Sequence, residues 1–117
     1  MHEEIDLEDL QGWLETGAQL VDVREEWEYV TGHLPGAVNV PMSELLGRLH
    51  EVPDNVVLVC QSGARSRDVA YYLTTNGYSK VANLTPGTLG WRLAGLELEV
   101  SAPDGEGRAD PIGEPSD

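Results

Sequence analysis

The chain has 117 residues, 40% of them hydrophobic, and its 21 acidic against 7 basic side chains give a formal net charge of -14. At this length one domain is expected, burying roughly two-thirds of the surface that the unfolded chain exposes. Such acidity excludes nucleic acid as a partner, because phosphate neutralisation needs clustered Lys and Arg, and it repels anionic membrane surfaces.

Asp6 can cap a helix in which Leu7, Leu10 and Leu14 share one face with Trp13 beside them, and Gly17 stops it. Residues 19–23 read as a short strand. Gly32, Pro35 and Gly36 mark a turn, and residues 37–40 form a second strand. Ser43 is placed to cap a short helix carrying Leu45, Leu46 and Leu49. Val56–Val59 is apolar without alternation, the pattern of a strand buried on both faces of a parallel sheet. Residues 68–76 look helical up to Gly77, residues 80–84 strand-like, and residues 88–94 form a last helix. The expected fold is therefore α/β: a three-layer sandwich with a central, mostly parallel sheet of about five short strands and helices on both faces.

Residues 1–100 carry this pattern. Residues 101–117 hold three prolines, three glycines and one large apolar residue, Ile112. Too little apolar surface is available there to offset ordering entropy, so a disordered acidic tail is expected. No apolar run approaches the ~18 residues of a membrane span. The acidic start MHEEIDLEDL lacks the basic and then apolar order of a secretory signal, so the expected location is cytoplasmic. A monomer is the default.

Cys60 is the only cysteine. That excludes an internal disulfide, a CxxC pair and a cysteine-rich zinc site. His2 and His50 have no partners at ligand spacing, and no metal is expected. A lone cysteine is ordinarily a small buried hydrophobe, but Cys60 lies immediately after the most apolar strand, where α/β sheets form their sites. Its loop, Cys60-Gln61-Ser62-Gly63-Ala64-Arg65-Ser66, leads into a helix. Such a loop aims several backbone N–H groups at one point and forms an anion nest. Gly63 permits positive φ, Ala64 leaves the concavity open, and Ser66 is placed to cap the helix. Arg65 and Arg67 add positive charge that can hold an anion. A thiolate in this setting should have a pKa below the free value of about 8.5.

Three segments of this chain resemble the single-domain rhodaneses, which are sulfurtransferases. The first is Leu20-Val21-Asp22-Val23-Arg24-Glu25, with Glu28-Tyr29 and the string from Gly32 to Pro41. The second is the Cys60 loop in its C-x-x-G-x-R-S form, and the third runs from Pro86-Gly87 to Trp91 and Gly95. Pro86 stands where the family more often has glycine. The resemblance implies that Cys60 attacks a small anionic sulfur donor such as thiosulfate and becomes a persulfide. The sulfur then passes to cyanide, a thiol or a sulfur-carrier protein. No metal or organic cofactor is implied. Gln61, Ser62, Gly63, Ala64, Arg65, Ser66 and Arg67 would bind substrate. Asp22 and Arg24 would shape the loop from behind or form a structural ion pair, and Arg24 with Glu28 would fix the turn before His33, which itself reads as structural.

Two alternatives differ in kind. One is a persulfide carrier or regulatory module with little turnover. The other is a phosphatase or arsenate reductase built on the same Cys/Arg loop. Cys60 to Arg65 is six residues; the resemblance associates that shorter loop with sulfur transfer, and the phosphatases with a loop one residue longer. Acidity and an anionic substrate are compatible because the charge is unevenly placed. Residues 29–101, which contain the loop, carry six acids and five bases. Screening over about 8 Å lets local arginines outweigh distant carboxylates.

Overall fold

Val56–Val59 is buried along its whole length, as its unbroken apolar run requires. The computed structural model describes residues 1–100; the expected tail, residues 101–117, lies outside the described residues. In chain order the elements are β1 (Glu3–Ile5), α1 (Leu7–Glu15), β2 (Gln19–Asp22), α2 (Glu26–Tyr29), β3 (Val38–Asn39), a 3₁₀ segment (Met42–Glu51), β4 (Val56–Val59), α3 (Ala64–Thr75), β5 (Val81–Leu84) and α4 (Gly87–Leu93). The strands form one sheet in the order β1-β5-β4-β2-β3, every pairing parallel.

Side chains of a strand alternate between faces, and β4 shows how this divides the core. Val56, Leu58 and Cys60 pack with Leu45, Val69 and Leu73 on the face covered by α3 and the 3₁₀ segment. Val57 and Val59 pack with Leu10, Tyr29 and Leu34 on the face where Trp13 of α1 and Trp91 of α4 close the layer. These are the three layers expected. Of the paired tyrosines on α3, Tyr72 joins the core and Tyr71 is exposed. Among the described residues no helix is long and apolar enough to cross a membrane.

The differences from the sequence reading are local. Edge strand β1 was not anticipated, since Glu3-Glu4-Ile5 has no strand pattern. It exists through backbone pairing, with Glu4 opposite Asn83 and Ile5 opposite Leu84. Ser43 caps nothing: the 3₁₀ segment starts after Pro41, and the Ser43 hydroxyl donates to Glu25 Oε1 at 2.7 Å. That segment is also not one helix, because Arg48 breaks its helical dihedrals. α3 begins at Ala64, one turn before residue 68, with Gly63 at the N-cap position. Ser66 therefore lies within the first turn, and its hydroxyl is free for other partners.

Candidate functional site

Cys60 follows β4, so its sulfur is set by the centre of the sheet, and the residue is completely buried. The chain then turns sharply into α3. Gly63 takes φ +92, a conformation that side-chain-bearing residues avoid. A Cβ on it would also stand 2.4 Å from the Thr85 carbonyl oxygen, so glycine is required twice over.

The turn brings donors onto the sulfur. The amides of Gly63 and Ser66 lie 3.2 and 3.3 Å from Cys60 Sγ, and the Ser66 oxygen lies 3.4 Å away. Burial is the largest single influence on the Cys60 thiol and pushes its pKa up. Against burial, the amides of Ser66, Ser62 and Gly63 favour the thiolate and pull it down. Charge-assisted bonds to sulfur favour the ionised form.

The other residues proposed for the site divide into two groups. Gln61, Ser62 and Ala64 form the loop rim, and the amides of Gln61, Ala64 and Arg65 have no acceptor among the described residues. Arg65 is not a free cation. Its guanidinium donates to both carboxylate oxygens of Glu28, at 2.7 and 3.0 Å. Glu28 in turn accepts from the Glu25 amide at the start of α2, and its pair with Arg65 joins that helix to the site. The direct partner of the Glu28 carboxylate is Arg65, with Arg24 acting on it only through space. Arg67 is exposed, and its side chain has no partner among the described residues.

Asp22 and Arg24 form a buried ion pair at the end of β2, with Arg24 Nη2 donating to Asp22 Oδ2 at 2.9 Å. The same Nη2 donates to the Gly32 carbonyl at 2.7 Å, holding the turn before His33. The Asn39 amide ties the backbone carbonyls of both residues to β3. His33 is buried, its ring stacked on Tyr29 with centroids 3.7 Å apart and Nδ1 2.9 Å from the Tyr29 carbonyl oxygen. Its Nε2 lies 3.8 Å from Glu99 Oε1.

Three residues that local patterning had not marked for the site hold the loop from the far side. Thr88 donates from its amide and hydroxyl to the Cys60 carbonyl, at 2.8 and 3.2 Å. Gly87, at φ +67, lets α4 approach so closely that a Cβ there would stand 2.4 Å from the Gln61 carbonyl oxygen. Asn83, fully buried, donates to the Gly63 carbonyl at 3.1 Å and accepts from the Ser66 hydroxyl at 2.5 Å.

The sequence pattern of the rhodanese-like domain matches residues 6–94. The chain is 40% identical over 88 residues to a sulfurtransferase of Allochromatium vinosum, covering 74% of this chain and 80% of that protein. It is also 40% identical over 92 residues to the HTH-type transcriptional regulator Rv0324 of Mycobacterium tuberculosis, covering 75% of this chain but only 40% of the regulator. Among solved structures, a rhodanese-like domain protein from Staphylococcus aureus superposes with a TM-score of 0.72 at 31% identity, over 86% of this chain and 99% of that one. With five parallel strands, a cysteine loop at the central strand's end and this similarity along nearly the whole described chain, the protein belongs to the rhodanese-like domain family of sulfurtransferases.

Proposed function

We propose that this protein transfers sulfane sulfur through a persulfide on Cys60, with thiosulfate or a similar small anion as donor. The observation that carries the reading is the ring of loop amides around Cys60 Sγ, at 3.2 and 3.3 Å for Gly63 and Ser66. The Cys60 thiolate attacks the outer sulfur of the donor. A new S–S bond forms on Cys60, the donor's S–S bond breaks, and sulfite leaves with the bonding pair. The amides of Gln61, Ala64 and Arg65, which have no other acceptor among the described residues, cradle the outer sulfur and its developing charge. An acceptor nucleophile, either cyanide or a thiol, including that of a sulfur-carrier protein, then takes the outer sulfur and releases the Cys60 thiolate. Complete burial of Cys60 suits a slim terminal sulfur better than a tetrahedral phosphorus, in keeping with the six-residue loop. A cytoplasmic setting, where thiols stay reduced, suits the free cysteine.

A second reading has one specific support. The similarity to a transcriptional regulator more than twice as long as the matched segment is what a module serving a larger assembly would give. In that reading Cys60 carries sulfur with little turnover. Mass spectrometry after thiosulfate exposure tests both readings. A labile gain of one sulfur atom, absent in Cys60→Ser, is expected. Fast cyanide-dependent discharge marks an enzyme and slow discharge a carrier. Failure of every sulfane donor to modify Cys60, or phosphoester hydrolysis without sulfur transfer, overturns the proposal.

A further inference from the structure

The Ser66 hydroxyl has one proton and two neighbours that could take it, Cys60 Sγ at 3.4 Å and Asn83 Oδ1 at 2.5 Å. The orientation of the Asn83 amide decides between them. Its nitrogen faces Glu4 Oε1 at 2.8 Å and the Gly63 carbonyl at 3.1 Å, two groups that only accept. That end must therefore be the NH2 group, and the oxygen faces Ser66. An amide oxygen cannot donate, so the Ser66 proton is on the Ser66–Asn83 bond. Toward Cys60, Ser66 presents a lone pair, which accepts from S–H and repels a thiolate.

We propose that Asn83 is a positioning residue of this site: by taking the Ser66 proton it makes Ser66 an acceptor for the resting Cys60 thiol and leaves the thiolate to the loop amides alone. Ionisation of Cys60 then either proceeds without help from the hydroxyl or requires it to rotate away from Asn83, stripping a fully buried amide oxygen of its donor. Glu4 on β1 completes the chain. The edge strand, 56 residues before Cys60 in sequence, thereby fixes which way the amide faces. The inference concerns the protonation state of the nucleophile assigned above, and it rests on that reading only for its role in turnover.

The other charged groups near the sulfur are Arg65 of α3, whose charge acts on Cys60 through space, Glu28 of α2, which is bonded to Arg65, and Asp22 of β2, within electrostatic range of Arg65; α4 contributes uncharged Thr88. None of these is altered in Ser66→Ala, which keeps the Ser66 amide on sulfur.

The experiment is the pH dependence of Cys60 alkylation by iodoacetamide in the full chain, which follows the thiolate fraction and needs no sulfur donor. For Ser66→Ala the midpoint should stay where it is or fall, and the rate below the midpoint should at least equal the wild-type rate. A raised midpoint would show that the hydroxyl donates to the thiolate, and a tenfold slower rate at pH below it corresponds to one unit. That result overturns the proposal. Asn83→Ala, if it folds, should show the reverse of that slowing, several-fold faster alkylation below the wild-type midpoint, since Ser66 can then donate to sulfur; slower alkylation overturns the proposal equally. If thiosulfate fails to load Cys60 while these titrations behave as described, the sulfur-transfer reading falls and the proton arrangement stands.

Discussion

Arg65 closes on Glu28 with two parallel bonds, Nη1 to Oε1 at 2.7 Å and Nη2 to Oε2 at 3.0 Å, so the cation within the cysteine loop is already paired. The proposed anionic donor would compete with Glu28 for it. Glu28→Gln keeps a carbonyl oxygen for the Glu25 amide but removes the competing charge. It should lower the KM for thiosulfate by up to about tenfold, equivalent to ~1.4 kcal/mol, while leaving kcat nearly unchanged. A higher KM would show that Glu28 aligns Arg65 for the donor and does not mask it.

The same pair has a pH signature. The Arg65 bond to Glu28 is the main influence holding its carboxyl below the usual range; partial burial opposes it, and the Glu25 amide adds to the lowering. Because the folded value is depressed, the pair's contribution to stability is present above the unfolded carboxylate value and is lost as pH falls through the folded one. The stability difference between wild type and Glu28→Gln should therefore shrink toward zero on acidification, as read by urea unfolding at a series of pH values.

Gly87 is where α4 meets the cysteine loop. Gly87→Ala places a Cβ 2.8 Å from the Cys60 carbonyl oxygen and 2.4 Å from that of Gln61, at φ +67. Positive φ alone costs about 1–3 kcal/mol, and the backbone clash comes on top of it. Gly17→Ala is the matched control: its φ is +96, but its Cβ meets nothing within 4 Å. Denaturant unfolding should show the larger loss for Gly87→Ala, and only that variant should lose persulfide formation.

Asp22→Asn tests the pair at the end of β2. Arg24 is only 3% exposed, so the substitution leaves a buried guanidinium without its counter-charge. A loss of about 3–5 kcal/mol is expected, as for other broken buried pairs. The effect should appear in the unfolding midpoint. A loss of activity at full stability would instead point to a direct role in sulfur transfer.

Asp54, far from the site, accepts from the amides of Lys80 and Ser79, which hold its carboxyl down at about 2. Its folded value is depressed, so its contribution is present above the unfolded value and is lost as pH falls through about 2. Carboxyl-carbon NMR should place its midpoint near that value, and Ser79→Pro, which removes both the amide and the hydroxyl donor of Ser79, should raise it.

The parts of this protein written in contiguous residues were legible from the sequence. Val56–Val59 declared a doubly buried strand because an unbroken apolar run has no face to give to water. The Cys60 loop declared an anion nest because glycine, small residues and arginines stood between a strand and a helix. Where the chain's distant parts meet was not legible. The Glu3–Ile5 strand has no pattern of its own and forms because β5 offers an unpaired edge. The pairing of Glu28 with Arg65, the wedge of Gly87 against Gln61 and the capture of the Ser66 proton by Asn83 join residues that only the order of strands brings together. A hydrogen bond is decided within a few tenths of an ångström, whereas hydrophobic patterning specifies only which face is buried. The sequence by itself therefore determined the fold class and marked the Cys60 loop as the candidate site, and the tertiary structure decided which groups surround the sulfur.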